Sequence, residues 1–370
     1  MQKPGIYLHV PFCRTKCPYC GFYSIASTSL LPRWIDAVNQ EAACYTDRFQ
    51  CFDSLYIGGG TPSLLKVCEL GRLLECLFTY FEFALNTEIT IEVNPCDINK
   101  EKVKDIKGLG FNRVNTGVQS LDNLELKFLG RRHTAEDAEK ALERLRTSGF
   151  KNIGVDLIYG FQGQSLKGWI KTLKRILIFR PEHISCYELT FEKRTLFSRM
   201  KEKGLLSPLS EEAERSFFLL TSRFLEENGY IHYEISSFAK KEVYCSRHNR
   251  KYWHHAPYLG LGPSAHSFQN STRWWNHCSV KKYSEALDNN ARPVEGYEIL
   301  TNEQLRLESI ALGLRTRDGF HIRKDKIIPG LEDTLFMLEE SGFIHVNNDR
   351  VVPTKKGFLV ADYLPLYFTS

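Results

Sequence analysis

No apolar run in the 370 residues approaches the roughly 18 needed to cross a bilayer. The first residues, Met1 to Pro11, have no apolar segment of the signal-peptide kind. On that reading the chain is a cytoplasmic protein, in a compartment that keeps thiols reduced. A strong charge of either sign is also missing: the net +5 permits an anionic ligand but does not point to nucleic acid. No low-complexity stretch or long linker interrupts the chain. No Gly-Lys-Ser/Thr follows its glycine run, which excludes a nucleotide triphosphate loop. Cysteine is not scarce, but its eleven copies are an odd number, so a pure disulfide framework would leave one over.

What is present is a globular composition, 42% hydrophobic and 25% charged, in a chain long enough for about two domains. Strand-like runs alternate with helical ones. The strands read as Ile6 to Val10, Ser54 to Ile57, Glu88 to Val93, Arg113 to Val118, Ile153 to Ile158 and Ile184 to Leu189. The helices read as Pro32 to Phe49, Ser63 to Tyr80, Lys100 to Leu109, Ala135 to Ser148 and Ser165 to Ile178. Thr134-x-x-Asp137 is a capping-box start, and Pro62 suits a first helical turn. Alternation of this kind means parallel βα units, either a partial barrel or a doubly wound sheet. In both, functional groups gather where the strands end.

The chain meets that requirement strand after strand. Cys13-x-x-x-Cys17-x-x-Cys20 follows the first, and Gly58-Gly59-Gly60-Thr61-Pro62 the second. Glu92 closes the third, Gln119 the fourth, and Asp156 lies in the fifth. Further on come a helix at Glu211 to Asn228, a strand at Tyr230 to Phe238 and an aromatic stretch, His248-Asn249-Arg250-Lys251-Tyr252-Trp253-His254-His255. From Thr301 the order is helix, helix, a hairpin turning at Asn347-Asn348, and a last helix. That order is winged-helix-like, here read as a cap on the barrel rather than a DNA reader.

Three cysteines within eight residues can hold three irons of a 4Fe–4S cubane and leave the fourth open to a small molecule. Other readings remain at this point. Zinc could take His9 as a fourth ligand, or pair Cys17 and Cys20 with Cys245-x-x-His248. The three could also be plain thiols. The other eight cysteines, Cys44, Cys51, Cys68 and Cys76 among them, are expected to be small buried hydrophobes.

The cysteine spacing after a first strand resembles the radical S-adenosylmethionine (radical SAM) superfamily. Tyr7-Leu8-His9-Val10-Pro11-Phe12-Cys13, Gly58 to Pro62, Gly117-Val118-Gln119-Ser120 and Asp156-Leu157-Ile158-Tyr159-Gly160 are similar to one branch of it. That branch holds the oxygen-independent coproporphyrinogen III dehydrogenases and the haem chaperone group HemW. The resemblance implies an α/β fold, a partial (β/α)6 radical SAM barrel with a small C-terminal winged-helix-like α+β domain. It divides the chain into a barrel at 1–240, a connecting segment at 241–290 and a C-terminal domain at 291–370.

It further implies a 4Fe–4S cluster on Cys13, Cys17 and Cys20. S-adenosyl-L-methionine would be held by Tyr7, Tyr19, Gly59, Gly60, Thr61, Glu92, Gln119, Arg131 and Asp156. Gly160-Phe161-Gln162-Gly163-Gln164 departs from the branch's usual Gly-Leu-Pro-Gly-Gln. Two further departures separate the chain from the decarboxylating enzyme. Phe22 stands where that enzyme has a further cysteine, and a first strand at Ile6 leaves no room for its N-terminal segment.

His248 to Trp253 matches the His-Asn-x-x-Tyr-Trp motif of the HemW group. This favours a haem chaperone, with haem as cargo, respiratory haem proteins as acceptors, and an electron donor for the cluster. A peripheral membrane contact is compatible with it, and nucleic acid is not a partner. His248 is then the expected haem contact, with His254, His255 and His266 as substitutes. The plainer reading has His248 fixing its surroundings by hydrogen bonds. The alternative function is oxidative decarboxylation of coproporphyrinogen III.

Overall fold

The computed structural model describes residues 2–322 and 330–369. The first half follows the expected alternation. Strands β1 (Gly5–Val10), β2 (Phe52–Gly59), β3 (Phe83–Val93), β4 (Arg113–Gln119), β5 (Ile153–Tyr159) and β6 (His183–Glu188) run parallel, each paired with the next. Helices α1 (Leu31–Ala43), α2 (Val67–Tyr80), α3 (Lys100–Gly108), α4 (Asn123–Phe128), α5 (Ala135–Thr147) and α6 (Leu166–Ile178) fill the crossovers. After β6 come α7 (Leu196–Glu202), α8 (Glu211–Glu227) and two short strands, β7 (Ile231–Glu234) and β8 (Ser237–Ala239). The single strand expected at Tyr230 to Phe238 is thus a hairpin. It turns where the Ser236 N–H donates to the Glu234 carboxylate.

The strands of a parallel sheet covered on both faces are usually apolar throughout. These are not. One face carries Ile6, Leu8 and Val10, then Leu55 and Ile57, Val114, Val155 and Leu157, all fully buried. The register puts Tyr7 beside Tyr56, Glu92 beside Asn115 and Gly117 beside Asp156 on the other face. The apolar face packs on the helices. The polar face lines the hollow of the barrel, and that division is what builds a site inside it.

Two expected helices are shorter than read. α1 stops at Ala43, because the turn after it brings Tyr45 and Arg48 to the far strands: the Trp274 indole N–H donates to the Tyr45 hydroxyl at 3.1 Å, and Arg48 donates to Gln269 at 3.0 Å. The stretch from Ser63 divides into a 3-10 turn at Pro62–Leu64 and α2, which starts where the Lys66 N–H donates to Glu69. The capping box at Thr134 and Asp137 is formed at α5.

The segment 241–290 is more than a connector. Helix α9 (Arg247–Trp253) leads into β9 (Tyr258–Leu261), which pairs parallel with β1 on its free side. β10 (His266–Gln269), β11 (Thr272–Asn276) and, after α10 (Val280–Asp288), β12 (Val294–Ile299) follow antiparallel. The result is one twelve-stranded sheet, in the order β12-β11-β10-β9-β1-β2-β3-β4-β5-β6-β8-β7. The boundary drawn at 291 cuts off β12, which belongs to that sheet.

The C-terminal unit has α11 (Asn302–Gly313), β13 (Phe320–His321), α12 (Leu331–Glu340), β14 (Ile344–Asn347), β15 (Arg350–Pro353) and α13 (Lys355–Leu359). Its three-stranded sheet, ordered β13-β15-β14, and its own apolar cluster around Ile310, Leu314, Ile344 and Val351 give the winged-helix-like form. The expectation for the remaining cysteines needs correction. Cys76, Cys186 and Cys245 are buried, but Cys44, Cys68, Cys96 and Cys278 are exposed and Cys51 is half-buried. Cys68 is on the wet face of α2, and the other four lie in turns and loops between elements. Among the described residues no helix is long and apolar enough to cross a membrane.

Candidate functional site

A cavity of about 830 Å³ opens where β1 to β6 end. That volume lies in the range of small-molecule sites, roughly 300–1,000 Å³. Its wall holds Cys13, Cys17, Cys20, Tyr19, Gly59, Gly60, Thr61, Glu92, Gln119, Arg131 and Asp156. The structure therefore brings together eleven residues that the sequence scatters over 144 positions, Cys13 to Asp156. Of the expected site residues, Tyr7 and His248 do not line it.

The cysteine loop is fixed from both sides. The Gly60 N–H donates to the Val10 carbonyl at 2.7 Å, and the Thr61 N–H to the Phe12 carbonyl at 2.8 Å. A Cβ on Gly60 would sit 2.6 Å from one of those carbonyl oxygens and 2.7 Å from the other. Glycine is needed here because two backbones touch, a closer approach than the ligand contact for which sequence reasoning singled it out. Gly59, at φ +103°, lies against the His9 ring in the same way. Around the thiols, the Thr61 hydroxyl donates to Cys13 Sγ at 3.4 Å, and Arg131 Nη1 donates to Cys17 Sγ at 3.5 Å. Arg131 Nη2 donates to the Gly117 carbonyl at 2.7 Å, and there a side chain at 117 would press on that guanidinium group.

Glu92 is buried. It accepts from the Tyr56 hydroxyl at 2.8 Å and the Gly59 N–H at 3.1 Å. Burial, then the charge of Asp156, pushes its pKa up to about 7. Asp156 accepts from Asn115, and burial raises its pKa too. Gln119 holds a left-handed φ of +66°, uncommon for a side-chain-bearing residue, at a bulge between β4 and β5. Such strain tends to collect at working sites. The departure at Phe161 is absorbed locally: its ring stacks on Phe128 at 5.2 Å, and Gln164 still closes the loop by accepting from the Gly160 N–H.

Sequence reasoning missed Tyr56, Asn115, Glu188 and Arg315, all in the cavity wall. Strand alternation carries the signal for the first two, since they share a face with Glu92 and Asp156. Glu188 ends β6 as the other site residues end theirs. Burial and then Glu214 push its pKa up to about 7. Arg315 lies more than 120 residues beyond β6, and no local pattern marks it. Phe22, in the place of the enzyme's further cysteine, stands at the cavity wall with 64% of its surface exposed.

Tyr7 and His248 lie deeper, at the floor of the barrel. The Tyr7 hydroxyl meets His9 Nδ1 at 2.9 Å. His248 is buried on α9. Its Nδ1 meets the Ser54 hydroxyl at 3.2 Å, its Nε2 meets the Tyr252 hydroxyl at 2.9 Å, and its ring stacks on Tyr56 at 5.3 Å. Both ring nitrogens are engaged, and burial pulls its pKa down to about 3. The arrangement is that of a histidine fixing its surroundings. The N–H groups of Arg247 and His248 donate to Glu88, and Lys251 pairs with Asp53 at 2.6 Å, so α9 is a plug across the strand starts.

A cubane offers each thiolate its own iron, so three sulfurs ringing a cavity suit it, whereas a single zinc ion needs its ligands on one point. Among the described residues no three His, Cys, Asp or Glu side chains converge in that way. Cys245 and His248 are at the opposite end of the strands from Cys17 and Cys20. SAM is tested by what the cavity leaves unpaired. Asp156 Oδ1 and Arg131 Nε are buried in its wall without a hydrogen-bond partner. A ligand carrying a diol, an ammonium and a carboxylate supplies what such groups lack. The residues fit both groups.

Comparison with known proteins agrees. Residues 7–176 match the family model of the radical SAM superfamily. The haem chaperone HemW of Lactococcus lactis is 32% identical over 97% of this chain and 95% of its own. That of Bacillus subtilis is 33% identical over 96% of each. The solved coproporphyrinogen III oxidase HemN of Escherichia coli superposes with a TM-score of 0.84, covering 99% of this chain and 90% of that one, at 24% identity.

Proposed function

The chain belongs to the radical SAM superfamily and, within it, to the HemW family, and from that membership we propose that it binds haem and hands it to respiratory haem proteins. The observation that carries this choice is likeness to HemW chaperones along nearly the whole chain. Phe22 in place of a cysteine and the matching histidine–aromatic motif on α9 support it.

Cys13, Cys17 and Cys20 would hold a 4Fe–4S cluster, and Glu92, Gln119, Arg131 and Asp156 would hold SAM. When bound and reduced, the pair supplies one-electron chemistry at the sulfonium. The chain's own part is positional. Ionised Glu92, steadied by Tyr56 and the Gly59 N–H, would offset the ligand's positive charge. Asp156 would accept from a diol through Oδ1, the oxygen that Asn115 leaves free. Arg131 spans the Gly117 carbonyl and Cys17, and so ties the cysteine loop to β4. Tyr7 acts through His9 beneath the glycine run. An electron donor serves the cluster, and the cytoplasm is the compartment.

Two measurements decide between chaperone and decarboxylase. Reconstituted, reduced protein is incubated with SAM and coproporphyrinogen III, and separately titrated with haem. Saturable haem binding without decarboxylated product is the expected result. Formation of protoporphyrinogen IX would overturn the reading.

A further inference from the structure

An imidazole that ligates iron needs a ring nitrogen with a free lone pair and an edge that a flat macrocycle can reach. Of the eleven histidines, five are buried: His9, His133, His183, His232 and His248. Each is bonded inside the fold. Three more pair with carboxylates, His254 with Asp318, His255 with Glu308 and His321 with Asp349, and His277 turns its Nδ1 into the fold, buried 3.8 Å from Glu295. His266 and His345 remain, both exposed and, among the described residues, without a polar partner for the ring.

Their surroundings differ. His345 is on the hairpin of the C-terminal unit. His266 opens β10, on the face that register carries through Phe268 and Tyr258 to Gly5, that is, onto the concave face of the barrel. Its ring lies 5.9 Å from Trp275, inclined by 28°. Trp275 in turn rests on Gly296 of β12, where a Cβ would come within 2.5 Å of the indole. The indole is wedged against Gly296 and stacks beside the imidazole of the exposed His266. The imidazole is partly desolvated on the sheet. That desolvation, then the Arg273 guanidinium, lowers its pKa, keeping it neutral and able to ligate.

We propose that His266 is the axial ligand of a haem carried on the β10–β12 face, with Trp275 as the residue that orients it. This rests on the haem-carrier reading and adds to it a site distinct from the α9 histidine. It separates cargo from cofactor, since His266 is not in the wall of the cysteine cavity.

The test is titration of the reconstituted full chain with ferric haem, read by absorption and by electron paramagnetic resonance. Wild type, His266→Ala, His266→Gly and His345→Ala are compared. Cluster iron content and far-ultraviolet circular dichroism report folding. Both His266 variants are expected to bind at least tenfold more weakly and to lose the imidazole-ligated spectrum. Added imidazole restores that spectrum in His266→Gly, and His345→Ala behaves as wild type. Wild-type spectra and affinity in His266→Ala would overturn the assignment and leave the carrier reading standing. Failure of wild type to take up haem would overturn both.

Discussion

Burial, then the charge of Asp156, raises the Glu92 pKa to about 7, which brings its titration into the neutral range. A cationic ligand needs the ionised form. SAM affinity measured by calorimetry should therefore fall by up to about tenfold per unit as pH drops below 7. Glu92→Gln should bind weakly throughout and show a flat profile between pH 6 and 7. Glu41 presents the opposite sign as a stability term. It is fully buried on α1, accepts from Gly262 N–H, Asn276 and Tyr283, and has a pKa raised by burial to about 7. Its folded value exceeds its ordinary 4.5, so its contribution is complete below that value and is lost as pH rises through 7. Relative to wild type, Glu41→Gln should gain about 3 kcal/mol between pH 4.5 and 8, read from urea midpoints. A constant difference would sink the assignment.

At the level of elements, Gly60 is the joint between β2 and the cysteine loop. Gly60→Ala drives a methyl group into two backbone carbonyls, so the loop must move. Reconstituted iron per chain should drop by half or more, with the secondary structure kept. Strand ends were legible in the sequence where a short apolar run closes on a polar residue, as in Val118-Gln119. β9 to β12 were not. They are four to six residues long, rich in aromatics, and joined to the sheet only through β9, whose partner β1 lies about 250 residues away in the chain. No local window carries such a pairing. The histidine of α9 was legible as a motif, but its surroundings are set by Ser54 and Tyr56 of β2, and these come from tertiary packing.

Across the molecule, the barrel does not close on itself: β12 and β7 are opposite edges of the sheet. The C-terminal unit bridges the gap. Thr316 bridges to Glu234 of β7, Arg317 pairs with Glu242, and Glu308 pairs with both Arg273 and His255. Arg315 from the same stretch reaches the cavity wall. Arg273→Ala removes the contacts to Glu298 and Glu308 at 2.8 and 2.6 Å. Half-exposed pairs of this kind contribute about 1 kcal/mol. The variant should keep its cluster but be cut faster by chymotrypsin after Tyr297 and Leu300 than wild type. Equal cutting rates would show that other contacts hold the unit in place.

The position of β9 also has a consequence for synthesis. β1 leaves the ribosome first and finds β2 soon after, but its other edge is completed only when Tyr258–Leu261 arrives. Elongation at roughly 5–20 residues per second leaves that apolar, hydrogen-bonding edge bare for on the order of 10–40 s. Nascent chains stalled before β9 should therefore be the aggregation-prone species, and the interval in which the cell's folding helpers are needed is set by the order of the strands along the messenger.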